Sequence, residues 1–200
     1  NNYTITVVDA NTFTLNVNST GFGTYSSGGT ASGTNSITLS SAGHTVVGNT
    51  SIDTILGGSS VDKIEGKGGL DSLSGGGGAD EFIYSAGDAF TDVNTSSVFE
   101  TISDFTTGSD KLDISVTVSE LTYRDGAEYV SSKFDDQLIA QSGFDGTGND
   151  AFLMYNVAGT GVGYLAIDMD ADGTLDNDGD IVIMLSGVDE QSDLIFTDFM

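Results

Sequence analysis

Residues 48–83, written in nines, read GNTSIDTIL, GGSSVDKIE, GKGGLDSLS, GGGGADEFI. Asp53, Asp62, Asp71 and Asp80 recur every nine residues, and Ile55, Ile64, Leu73 and Phe82 follow them two places later. Each unit is a glycine-rich turn of six residues that ends in Asp, followed by a strand of three. A fixed short period means a stacked architecture, because one apolar residue in nine is buried only against the units above and below it. The stretch therefore predicts a β-solenoid.

The pattern resembles the calcium-binding nonapeptide repeat (GGxGxDxUx) of RTX proteins. Calcium takes roughly six to eight oxygen ligands from carboxylates and carbonyls. A glycine-rich turn bares its carbonyls and accepts positive φ. The resemblance implies a parallel β-roll in which two nonapeptides make one coil, so that turns eighteen residues apart stack on the same side. That pairs Asp53 with Asp71 and Asp62 with Asp80, each pair sandwiching an ion. The turn glycines Gly57, Gly66, Gly68, Gly75 and Gly77 belong to the implied ligand set. The match is uneven. GGGGAD (75–80) is complete, GKGGLD (66–71) has Lys67 at its second place, and Ser60 and Ser51 stand where the family has its second turn glycine. The two early turns are thus the weaker sites, and about two well-filled calcium sites are expected. The competing reading is a metal-free glycine-rich stack. Four in-phase carboxylates argue against it, since unneutralised they repel.

Composition points the same way. The 200 residues suit one or two domains. Thirty acidic against five basic residues give a net charge of −25, which repels nucleic acid and anionic membrane surfaces. With 38% hydrophobic residues this is not a disordered acidic tail. Divalent cations would relieve the self-repulsion, which couples folding to their binding. There is no Cys, and an extracellular protein can do without disulfides if calcium cross-links it. No apolar run approaches the ~20 residues of a membrane span. The chain begins at Asn1 inside an expected strand, with no signal peptide, and reads as the C-terminal piece of something longer.

Outside the repeats, Tyr3, Ile5 and Val7, then Phe13, Leu15 and Val17, alternate as two strands joined around Asp9–Asn11. The stretch YTITVVDANTFTLNVNSTGFGTYSSGGT resembles the end of a small β-module of phage tail-fibre and large bacterial surface proteins. From Ser36 the nine-residue phase is running: Ile37 and Val46 are in phase with Ile55, and Asn35 and His44 take the Asp places as degenerate capping coils. Beyond the repeats, Phe99, Ile102 and Phe105, then Leu112 and Ile114, predict two strands around a turn at Thr107–Ser109. ISDF (102–105) and DKLDIS (110–115) resemble the segment that follows the repeats in RTX proteases, surface-layer proteins and adhesins. Asp104 and Asp110 are either further calcium ligands or solvated strand-end charges.

Ala127, Val130, Phe134 and Leu138 share one face at helical spacing, predicting a helix over 127–140 that Gly143 and Gly146 end. The runs 151–157, 163–169 and 181–188 predict strands. Between the last two, Asp168, Asp170, Asp172, Gly173 and Asp176 match part of an EF-hand loop. The twelfth place is Gly179, not Glu, so this is no EF-hand but either a calcium-binding hairpin loop or a solvated acidic turn. The ending SDLIFTDFM resembles the uncleaved C-terminal signal of type I export substrates.

The expected fold is mainly β: a parallel β-roll (RTX solenoid) with flanking antiparallel strands and one short helix. The expected divisions are 1–35, the end of a small β-module; 36–84, the roll; and 85–200, a β-rich cap with the export signal. The expected cofactor is Ca2+. The expected partners are a type I secretion exporter and neighbouring copies in a calcium-dependent surface lattice. The expected role is that of a non-enzymatic domain of a secreted surface-layer protein or adhesin on a Gram-negative cell. The alternative is the C-terminal domain of a secreted protease or lipase. A metalloprotease needs an HExxH-like pair and this chain has one His; GGSSV (57–61) lacks the closing Gly of GxSxG. No catalytic residue is expected within these residues.

Overall fold

The computed structural model describes residues 5–7, 13–15, 36–39, 43–89, 99–125, 147–155, 161–175 and 179–200. Ile5–Val7 (β1) and Phe13–Leu15 (β2) pair antiparallel, Ile5 opposite Leu15, as the alternation predicts. The nonapeptides then lay down strands of three or four residues: Ser36–Thr38 (β3), Thr45–Val47 (β4), Thr54–Leu56 (β5), Lys63–Glu65 (β6), Ser72–Ser74 (β7) and Glu81–Tyr84 (β8). They are short because glycine turns bound them on both sides.

Alternate strands go to opposite sheets. β3, β5 and β7 pair in parallel, with Ile37, Ile55 and Leu73 in one row. β4, β6 and β8 do the same on the other side, with Val46, Ile64 and Phe82 in a row. The central residues of the two rows point at each other, and Ile55, Ile64, Leu73 and Phe82 are completely buried. This is the stacked solenoid that the nine-residue period predicts, in the parallel β-roll form that the resemblance implies.

The parallel ladder does not stop at Tyr84. Glu100–Ile102 (β9) continues one sheet, with Ile102 beside Leu73, and Lys111–Ile114 (β10) continues the other, with Leu112 beside Phe82. The two strands expected on either side of the turn at 107–109 thus lie in opposite sheets and make a further coil. Leu73 to Ile102 spans 29 residues instead of eighteen, which hides this coil from the repeat phase.

Val118–Asp125 (β11), Asn149–Tyr155 (β12), Val162–Ile167 (β13) and Ile181–Ser186 (β14) complete the fold. β12, β13 and β14 form an antiparallel meander, β11 runs parallel to β12, and β14 runs parallel to β9. The roll and the cap therefore share one sheet of eight strands, order β11-β12-β13-β14-β9-β7-β5-β3, facing a sheet of four, β10-β8-β6-β4. Both faces of the meander are buried. Leu153, Leu165 and Ile183 join the main core, while Phe152, Met154, Ala166 and Val182 form a second cluster with Phe99, Tyr164 and Leu175. Strands covered on both faces read as continuous apolar runs. β11 escapes sequence reading because a register shift between Val118 and Glu120 breaks its alternation. The helix expected over 127–140 lies outside the described residues.

Two short 3-10 turns, Gln191–Asp193 and Phe196–Asp198, close the described chain. Phe199 bridges Leu112 in parallel, and the Met200 N–H donates to the Leu112 carbonyl at 3.0 Å. The tail thus adds an edge to the four-stranded sheet beyond β10.

Candidate metal centre

The Asp residues are not surface charges. Asp53, Asp62, Asp71 and Asp80 are all at most 1% exposed. A ladder joins them along the stack, each Asp N–H donating to the carboxylate one coil on: Asp53 to Asp71 Oδ1 at 2.7 Å and Asp62 to Asp80 Oδ1 at 2.8 Å. These are the two pairs that the resemblance implies. His44 holds the Asp place at the N-terminal end, its N–H reaching Asp62 Oδ1 at 2.7 Å. At the other end Glu100 accepts from the Asp71 N–H at 2.5 Å, and Asp110 accepts from the Asp80 N–H at 3.0 Å. Asp104 binds the amides of Gly75 and Gly76 at 2.9 and 2.8 Å. Sequence reading did not single out Glu100. Its signal is there, in ETISDF just ahead of the Asp-Phe pair, but off the nine-residue phase.

The four turns fall into two conformations. In turn 48–53 the second-place amide, of Asn49, donates to Asp53 Oδ2 at 3.0 Å, and in turn 57–62 that of Gly58 donates to Asp62 Oδ2 at 2.8 Å. Turns 66–71 and 75–80 instead carry positive φ at the second place (Lys67 70°, Gly76 85°) and at the fourth (Gly69 136°, Gly78 134°). There the second-place amide of Gly76 points to Asp104, and Asp71 Oδ2 is buried with no hydrogen-bond partner. That oxygen lies against Gly66, where a Cβ would come within 2.2 Å of it, and Asp80 Oδ2 lies equally close to Gly75, at 2.4 Å. Gly57 backs onto the Gly75 carbonyl, leaving a Cβ 2.0 Å from that oxygen. Gly68 and Gly77 stack over Thr50 and Ser59 with ordinary clearance.

Electrostatics set these carboxyls apart. Burial pushes Asp71 up to about 7, opposed by the Asp53 N–H and reinforced by the Asp53 and Asp88 charges. Burial also pushes Asp80 to about 6, with Asp110, Asp62 and Asp104 adding to it. Glu100 rises to about 8 through burial and the neighbouring Asp71, against the pull of the Asp71 N–H and the Tyr84 hydroxyl. The described lysine ion pairs lie elsewhere: Lys67 with Glu65, Lys63 with Glu81 and Lys111 with Asp198. Buried carboxylates in this condition take up protons or a cation. An all-oxygen set suits a hard divalent ion such as calcium.

A second acidic group lies in the β13–β14 hairpin. Asp168, Asp170 and Asp180 bring one carboxylate oxygen each to within 4.8 Å of one another, and Asp168 and Asp180 are buried. Asp168 accepts from the amides of Ala171 and Gly173, and Asp180 from that of Met169. Asp172 is not in the group, because it faces Thr174, whose amide and hydroxyl hold its carboxyl below the usual range. Asp176 lies outside the described residues. The EF-hand template missed Asp180 because it falls one place beyond the loop's twelfth position, Gly179.

Comparison with known families agrees with this geometry. The profile of the peptidase M10 serralysin C terminal matches residues 15–196. The chain belongs to the serralysin C-terminal family. The family is an RTX-type β-roll domain of secreted proteins. Its match spans the roll and the cap together, as the shared eight-stranded sheet does. No curated protein matches the chain significantly. Among the described residues no helix is long and apolar enough to cross a membrane.

Proposed function

We propose that this chain is a non-enzymatic calcium-binding module of a secreted bacterial cell-surface protein, of surface-layer or adhesin type, which folds on calcium after type I export. One observation carries the reading: Asp71 Oδ2 is buried in an open glycine turn with no donor to satisfy it. A cation supplies what that atom lacks. Asp71 and Asp80, with oxygens of the turns around Gly66, Gly68, Gly75 and Gly77, would hold ions in the roll. Asp168, Asp170 and Asp180 would hold one in the hairpin.

The physical logic is a switch. Where calcium is scarce, a net charge of −25 disfavours the compact state and leaves a chain that threads a narrow exporter. Outside, bound ions stabilise the fold by mass action, roughly 2.7 kcal/mol at a hundredfold excess over Kd. The likeness of ISDF (102–105) and DKLDIS (110–115) to the segment after the repeats in surface-layer proteins and adhesins favours a surface protein of a Gram-negative cell, and calcium bridges between neighbouring copies suit so acidic a surface. The second reading, a secreted hydrolase with its catalytic domain elsewhere, is favoured by the serralysin family match. In either case the chemistry would lie outside this chain, which has one His and no GxSxG.

The test is circular dichroism of the chelator-treated chain, titrated with calcium to millimolar levels and with magnesium as control. A cooperative gain of β signal with calcium alone is expected. A chain fully folded in chelator and indifferent to calcium would sink the proposal.

A further inference from the structure

We propose that ion binding in the repeats is confined to turns 66–71 and 75–80, and that the fourth residue of each turn decides this. Turns 48–53 and 57–62 would then be closed, ion-free turns in which Asp53 and Asp62 serve as internal hydrogen-bond acceptors. The inference rests on the calcium reading above.

The closed turns aim an amide N–H at their own carboxylate. Asn49 N–H reaches Asp53 Oδ2, and Gly58 N–H reaches Asp62 Oδ2. Each closed turn has a further donor. The Asn49 side-chain amide adds a contact to Asp53 Oδ1 at 3.4 Å, and the His44 ring Nδ1 lies 3.2 Å from Asp62 Oδ1. The positive end of a peptide dipole then points where a cation would meet the carboxylate. In the open turns the second-place residue is flipped to positive φ, and Asp71 Oδ2 is left buried and unpartnered.

The sequence at the second place does not explain the division. Gly58 is free to flip, yet its turn is closed; Lys67 resists positive φ, yet its turn is open at φ 70°. The fourth place does explain it. Both open turns have glycine there, at φ 136° and 134°, a region that side chains rarely enter. Both closed turns have serine, Ser51 and Ser60. Once the fourth residue takes positive φ, the second follows even when it is a lysine.

The experiment counts bound calcium by native mass spectrometry and isothermal titration on the full 200-residue chain. Asp71→Asn and Asp80→Asn are expected to lose at least one ion, while Asp53→Asn and Asp62→Asn keep the parent count. Ser60→Gly completes GGSGVD and is expected to add an ion, a gain that a damaged fold cannot mimic. Loss of an ion in Asp53→Asn or Asp62→Asn at parent-like circular dichroism, or no gain in Ser60→Gly, would overturn the division while leaving the calcium reading intact. No binding by the parent chain would overturn both.

Discussion

At the scale of single residues, Lys67 is a strained point. A lysine at φ 70° carries a left-handed penalty of roughly 1–2 kcal/mol. Its side chain pairs with Glu65, a half-exposed contact of small worth. Lys67→Gly is therefore expected to stabilise the calcium-loaded chain by about 1 kcal/mol, read as a higher urea midpoint at unchanged slope. Gly78→Ala should act the other way and more strongly. Its φ is 134°, and a Cβ would lie 2.7 Å from the Ser60 carbonyl carbon. A Gly78→Ala chain as stable as its parent would contradict the open-turn geometry. At this scale the sequence set turns 66–71 and 75–80 apart by glycine at the fourth place, and those two glycines take positive φ. It could not show that Asp172 turns to Thr174 while Asp180 swings in, because that depends on how the hairpin closes.

At the scale of elements, each coil is held by one side chain per strand. Leu73 is fully buried between Ile55 and Ile102 in its row, so Leu73→Ala should cost about 2–5 kcal/mol. Hydrogen exchange should show the loss spread over β5, β7 and β9, since stacked units share their interfaces. The tail is a second such element. Asp198 is fully buried and accepts from Thr107 Oγ1 (2.6 Å), Gly108 N–H (3.0 Å), Ile195 N–H (3.1 Å) and Lys111 Nζ (3.2 Å). This resembles the way Asp104 caps the turn at Gly75 and Gly76, and both aspartates precede a phenylalanine. Asp198→Ala would strand those donors, at a cost of roughly 1–3 kcal/mol. Exchange should rise at residues 195–200 while β5–β8 stay protected. Equal loosening of the roll would show that the tail is no separate element.

At the scale of the molecule, the buried carboxyls link stability to pH. Burial pushes Asp71, Asp80 and Glu100 up to about 7, 6 and 8 in the fold, all above the ordinary carboxyl range. Between pH 4 and pH 8 the folded chain therefore holds more protons than the unfolded one, and stability falls as pH rises through that window. In chelator the folded fraction, read by circular dichroism, should be higher at pH 5 than at pH 8. With saturating calcium the fall should shrink, because the ion replaces the protons, and calcium affinity should weaken on acidification. A chelated chain with a larger folded fraction at pH 8 than at pH 5 would reverse the sign and remove this account.

The nine-residue period determined a stacked solenoid and the burial of Ile55, Ile64, Leu73 and Phe82, because stacking is the only way such a unit can bury its one apolar residue, while the parallel roll and its eighteen-residue register were implied by the resemblance to the RTX repeat. Charge and spacing set the expectation of a cation, since so many in-phase carboxylates share so few basic partners. Tertiary structure decided what lies off the period. Glu100 and Asp110 extend the ladder across a longer connection, β14 fuses the cap to the roll, and Asp180 joins Asp168 across a hairpin. Those contacts join residues whose spacing follows no repeat, and only the packing of sheet on sheet brings them together.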